Sequence, residues 1–151
     1  MIRDDIKAAQ VESMKARDAA RTQAIRLIQA AIKNRDIELR TAATPADDDA
    51  TVREVLQKMA KQRRESIEMF EQGGRQELAD VEKGELTVIE SFLPQQMDEA
   101  AAKAAIAAIV AETGATSVKD MGRVMAAVKA RHAAEMDMSR ASGLVKAALA
   151  G

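Results

Sequence analysis

The apolar residues of this chain recur at steps of three and four, and runs of β-branched residues are missing. That pairing of pattern and composition leaves little besides amphipathic helices. The residues that dominate are Ala, Leu, Met, Glu, Lys, Arg and Gln, which are the strongest helix formers. The fold class read from the sequence is therefore all-α. Ile2, Ile6, Ala9 and Val11 to Met14 outline a first helix, with a break or turn near Asp18. Ile25, Ile28, Ile32, Arg35 and Leu39 outline a second, expected to run to about Ala42. The stretch Thr44-Pro45-Ala46-Asp47-Asp48-Asp49 is read as a loop whose aspartates cap the next helix. Val52, Val55, Leu56, Met59, Ile67 and Phe70 mark a third helix ending at Gly73-Gly74, where glycine can take a left-handed conformation. A fourth runs from about Gln76 to Phe92 with Leu78, Val81, Leu86 and Ile89 inward, and Pro94 ends it.

Past Pro94 the segments shorten. Asp98 is placed to cap an alanine-rich helix through Glu112, and Gly114 sits where a helix-ending glycine belongs. Ser117-Val118-Lys119-Asp120 reads as a capping box. It opens a helix with Val118, Met121, Val124, Met125 and Val128 on its apolar stripe. A last helix starts at Asp137 or Ser139 and carries Leu144, Val145 and Leu149. The chain thus divides into an N-terminal long-helix region, 1–93, of hairpin or bundle form, and a small C-terminal three-helix bundle, 94–151. With 151 residues it can bury a core without staples.

Charge narrows the functions. The net charge is −1, without the basic excess of a non-specific nucleic-acid binder, so any RNA contact must come from a local patch. Phe70 and Phe92 are the only aromatics, which leaves no platform for stacking bases. Cysteine is absent, and with it thiolate metal ligands and cysteine nucleophiles. The lone histidine, His132, has only Glu135 nearby as a metal ligand and reads as a solvated helix-end residue. No phosphate loop or nucleophile elbow is present, so no catalytic residue, metal site or cofactor is expected. No secretory leader pattern or bilayer-length apolar run is seen. The expected setting is cytoplasmic, without a membrane partner; the oligomeric state is not legible.

Two basic features stand out. Lys58, Lys61, Arg63 and Arg64 form the densest cluster. Glu54–Lys58, Lys61–Glu65 and Arg64–Glu68 are spaced to pair within the helix. Arg63 falls on the apolar stripe, as Arg35 does in the second helix. A structural pairing of Arg63 with an acid of a neighbouring helix, such as Asp36 or Glu90, is expected. Lys119 and Arg123 are four residues apart and would share a helix face opposite the apolar stripe, with Gly122 beside them. Such a glycine permits close approach of another surface, a sugar–phosphate backbone included.

Lys61-Gln62-Arg63-Arg64-Glu65-Ser66-Ile67 resembles a long-helix motif of the GatB/YqeY domain family. Phe92-Leu93-Pro94-Gln95-Gln96-Met97 resembles its YLPxQ(L/M) junction. The run Thr113 to Met125 (TGATSVKDMGRVM) resembles its GASSxKDMGKVM motif. The resemblance runs from the first helix to the end and points to the stand-alone YqeY-like members, not to the longer amidotransferase subunit. It implies a helical region followed by a three-helix tail, and tRNA or a tRNA-handling enzyme as partner. The glutamine-dependent carbon–nitrogen ligase label would come from the subunit, whose catalytic domains lie elsewhere. Carried across by position, Lys119, Gly122 and Arg123 are the implied RNA contacts, with Lys146 in the last helix. Where relatives carry a basic KGRADG loop, this chain reads His132-Ala133-Ala134-Glu135-Met136-Asp137-Met138. The lost cations imply weaker binding with a shallower salt dependence. The competing reading is a helical protein-interaction module without RNA binding.

Overall fold

The computed structural model describes residues 1–42 and 47–150. The loop read at Thr44-Pro45-Ala46 lies outside the described residues. Those described form seven α-helices and no strand: α1 (Ile2–Lys15), α2 (Ala19–Leu39), α3 (Asp48–Gln72), α4 (Gln76–Ser91), α5 (Glu99–Thr113), α6 (Met121–His132) and α7 (Met138–Ala150). A 3-10 turn, Val118–Asp120, leads into α6. They sort into two compact units, Met1–Leu93 and Pro94–Gly151.

In the first unit α1–α4 enclose one core. Ile25, Ile28, Val52 and Leu56 are fully buried, joined by Ile6, Ile32, Met59 and Ile89. Each such side chain stabilises by about 1.5–3 kcal/mol on leaving water. The stripes run true except at their edges. Val11 and Met14 of α1 and Val81 of α4 face solvent, against the inward expectation. At that end of α4 the small Ala79 is the buried residue instead.

The helix ends follow their local chemistry. Asp18 caps α2 by accepting from Arg21 N at 3.0 Å, and Asp47 caps α3 by accepting from Ala50 N at 3.2 Å. The second helix stops at Leu39, short of the expected Ala42. Gly74 takes the left-handed conformation after α3 (φ 73°), and Arg75 N closes the turn onto Phe70 O at 2.7 Å. Arg17 adopts φ 54° between α1 and α2, a conformation unfavourable for a side chain with a Cβ. That turn is fixed from inside: Thr22 Oγ1 lies 2.9 Å from the buried Ser13 Oγ and 2.8 Å from Asp18 O.

Ion pairs tie the helices together. The Arg3 guanidinium grips Asp36 near the end of α2 (2.7 and 2.9 Å) and Asp48 at the start of α3 (2.9 to 3.1 Å). Arg63 reaches Glu85 of α4 at 2.7 Å. The partners expected for it are engaged elsewhere, Asp36 by Arg3 and Glu90 by Arg64 at 3.4 Å. Antiparallel packing of α3 on α4 sets Glu85 opposite Arg63, a register that helical spacing alone does not fix. Arg35 turns to Glu38 within its own helix, at 2.9 Å.

In the second unit Ile106, Ile109, Val124, Val128 and Val145 are fully buried, with Ala102, Met136, Ala141 and Leu149 around them. Asp98 caps α5 by accepting from Ala101 N at 2.7 Å. Gly114 ends it in the left-handed conformation (φ 66°). No single described helix is long and apolar enough to cross a membrane.

The ion pairs of the first unit can be ranked by experiment. The Arg63 and Glu85 side chains are only 20% and 23% exposed, so Glu85→Ala leaves a half-buried guanidinium without its acceptor. Urea denaturation is expected to show a loss of about 1–2 kcal/mol. Glu77→Ala, at the exposed Arg75 pair, should cost nothing measurable. The hydrogen bond from Arg3 holds the Asp36 carboxyl below its ordinary value. A depressed carboxyl contributes stability above its unfolded value and loses it as pH falls through the folded one. Stability is therefore expected to fall below about pH 4. In thermal melts across about pH 2–6 the fall should be less steep in Asp36→Asn, which has no proton to take up.

Candidate nucleic-acid interface

The segment from Gly114 to α6 is built by one carboxylate. Asp120 accepts from Thr116 N at 3.0 Å and from Arg123 Nη2 at 3.2 Å. The backbone N–H of Thr116, then that of Ser117, and the charge of Arg123 hold this carboxyl below its ordinary value. The expected capping box is thus half formed. Asp120 reaches back to the backbone, while the Ser117 side chain makes no cap hydrogen bond. The helix opens through a 3-10 turn, so Lys119 stands on a different spiral from Arg123. Val118, expected on the apolar stripe, is 45% exposed.

Lys119, Gly122 and Arg123 are exposed, and so is Lys146 of α7, which follows the buried Val145. A Cβ added at Gly122 would meet nothing within 4 Å, leaving the backbone there open to approach. The cations differ in state. Arg123 is bound to Asp120, whereas Lys119 and Lys146 have no ion-pair partner among the described residues.

The same sorting holds across the second unit. Glu99 is paired with Lys103, Glu112 with Arg131 and Asp120 with Arg123. Asp98 and Asp137 cap helices, accepting from Ala101 N and Ser139 N. Five of its six described carboxylates are thus committed, Glu135 being the exception, while Lys119, Lys129, Arg140 and Lys146 have no ion-pair partner among the described residues. The sequence reading passes over Lys129 and Arg140. For Lys129 a signal is present, since no carboxylate stands three or four residues away on either side. Arg140 has Asp137 at that spacing, and only the structure shows Asp137 turned to its own helix start.

His132 departs from the solvated reading. Its side chain is 20% exposed, with Nδ1 buried and 3.5 Å from Glu135 Oε2, too long for a hydrogen bond. It closes the end of α6 against the following turn, where Met97 N donates to Glu135 O at 2.8 Å and Gln96 Nε2 to Ala134 O at 2.8 Å. No group of three or more potential metal ligands occurs among the described residues. A polar cleft of about 630 Å³ lies beside Gln95, Gln96, Met97, Asp98 and Glu135. Its charged lining is acidic, which does not suit phosphate.

Gly143 lies within α7, and a Cβ there also meets open space. Gly143→Ala is expected to stabilise the protein by up to about 1 kcal/mol, with a smaller gain for Gly122→Ala in the first turn of α6, both read by chemical denaturation.

Curated relatives include proteins named altered inheritance of mitochondria protein 41, mitochondrial. That of Saccharomyces cerevisiae is 30% identical over 95 residues, covering 63% of this chain and 48% of the relative. That of Eremothecium gossypii is 34% identical over 92 residues, covering 61% and 46%, and that of Candida glabrata 32% over 84, covering 56% and 45%. The chain spans about half the length of these relatives. Their named location overturns the cytoplasmic expectation. That expectation rests on missing cysteines and a missing leader pattern, and neither distinguishes the cytosol from an organelle interior. The Yqey-like protein family model matches residues 3–149, nearly the whole chain, and the protein belongs to that family.

Proposed function

We propose that the protein is an RNA-contacting accessory module, with structured tRNA as its ligand and the second unit as its contact surface. The observation that carries this reading is the sorting of charge. Five of the unit's six described carboxylates are committed to internal partners, so Lys119, Lys129, Arg140 and Lys146 keep their charge for phosphates although the whole chain is near neutral. The exposed backbone at Gly122 gives a sugar–phosphate strand room to approach beside Lys119. Recognition would rest on shape and phosphate contacts. The work done on the tRNA belongs to an enzyme that the module accompanies.

A second reading, a module for a protein partner, draws on α5. Ala100, Ala104, Ala107 and Ala111 are exposed along its outer side, a smooth surface on which another helix could pack closely.

The test is tRNA binding by the purified protein over a salt series. With four free cations, the slope of log affinity against log salt is expected to be at most about −3 to −4. Lys119→Gln and Lys146→Gln should each lower it by about 1. Arg123→Gln should lower it less, because Asp120 already neutralises Arg123. Salt-independent binding, or none at low salt, would refute the RNA reading; a protein partner retained after nuclease and high salt would then support the second.

A further inference from the structure

The first unit has a cleft that the RNA reading does not use. It lies between α1 and α2, holds about 240 Å³, and is lined by Arg3, Ile6, Lys7, Gln29, Ile32, Lys33 and Asp36. The two helices run antiparallel. Arg3 pairs with Asp36 at one end, and Gln29 Nε2 donates to Gln10 Oε1 at 3.0 Å further along α1. These bridges close a short slot. Its floor is the apolar pair Ile6 and Ile32, both buried in the core.

Lys7 and Lys33 stand on opposite walls of this slot. Neither has a carboxylate partner among the described residues. The one acid in the lining, Asp36, has both oxygens on the Arg3 guanidinium. An anion seated between these walls is attracted by both ammonium groups. We infer that the cleft between α1 and α2 binds a small phosphate monoester, its phosphate between Lys7 and Lys33 and its short apolar chain on Ile6 and Ile32. A phosphate monoester carries about −1.5 to −2 charges at neutral pH, which matches two ammonium groups where a carboxylate matches one. The cleft is smaller than the roughly 300–1,000 Å³ of drug-sized sites, so only a few carbons accompany the phosphate. The amide of Gln29 keeps a second N–H for a phosphate oxygen.

The experiment titrates the full chain with butyl phosphate, inorganic phosphate and butyrate at constant ionic strength, following backbone amide shifts. Butyl phosphate is expected to bind saturably, at least about tenfold more tightly than inorganic phosphate through its buried chain. The shifts should concentrate at residues 3–10 and 29–36. Lys7→Gln with Lys33→Gln should weaken binding at least about tenfold, while Lys119→Gln with Lys146→Gln leaves it unchanged. Both lysines of the first pair are exposed, so the folded spectrum is expected to survive their replacement, and that spectrum reports any failure to fold directly. Equal affinity for butyrate would overturn the phosphate assignment, and equal affinity for inorganic phosphate the role of the apolar floor. Shifts outside the slot, or binding unchanged in the Lys7 and Lys33 variant, would overturn the site.

Discussion

Burial of the isoleucine stripe of α2 is the constraint on which the first unit depends. Ile25, Ile28 and Ile32 occupy one side of the helix, and α1, α3 and α4 all pack on α2. Removing those side chains from water supplies several kcal/mol from one helix, more than any of the ion pairs at its edges. The hydrophobic term is non-directional, so it gathers the helices without fixing their ends. The ends are fixed by polar contacts of defined geometry. The Arg3 fork holds α1, α2 and α3 at one end of the stripe, and the Ser13–Thr22–Asp18 contacts hold the α1–α2 turn at the other.

Those polar contacts also decide where charge remains available. A carboxylate held by a guanidinium or a helix N-terminus no longer offsets a lysine elsewhere. In the first unit Asp36 and Asp48 are committed to Arg3, which leaves Lys7 and Lys33 uncompensated. In the second, Asp120 is committed to Arg123 and the preceding backbone, which leaves Lys119. A net charge of −1 describes neither place, because an anion responds to the nearest uncompensated charges within a Debye length of about 8–10 Å.

Helix existence was legible in the sequence, and so were most boundaries, because each rests on local chemistry. Asp18, Asp98, Gly74 and Gly114 act within a few residues of where they stand. What was not legible depends on register between helices. The spacing of Arg63 puts it on the apolar stripe, but only the offset of α3 against α4 selects Glu85 over Glu90. The same applies to Val81 and Met14, which are apolar and still face solvent while Ala79 and Ser13 beside them are buried. For the candidate interface, the sequence pattern singles out Lys119, Gly122 and Arg123, and the family resemblance adds Lys146. The sequence could not distinguish a free lysine from a paired arginine, because that depends on which way the Asp120 carboxylate turns.

That distinction bears on how a near-neutral helical protein could engage a polyanion. Arg123 has the better phosphate-binding head group, a planar fork that can bind two oxygens at once. Yet it must first leave Asp120, and Asp120 in turn holds Thr116 N and so the shape of the turn that carries Lys119. Lys119 has no such commitment. The arginine therefore does more by staying, since its pairing keeps Asp120 in place and with it the approach to the open backbone at Gly122. The motif is built as a unit in which the acid sets the turn, the arginine neutralises the acid, and the lysine is left without an ion-pair partner among the described residues.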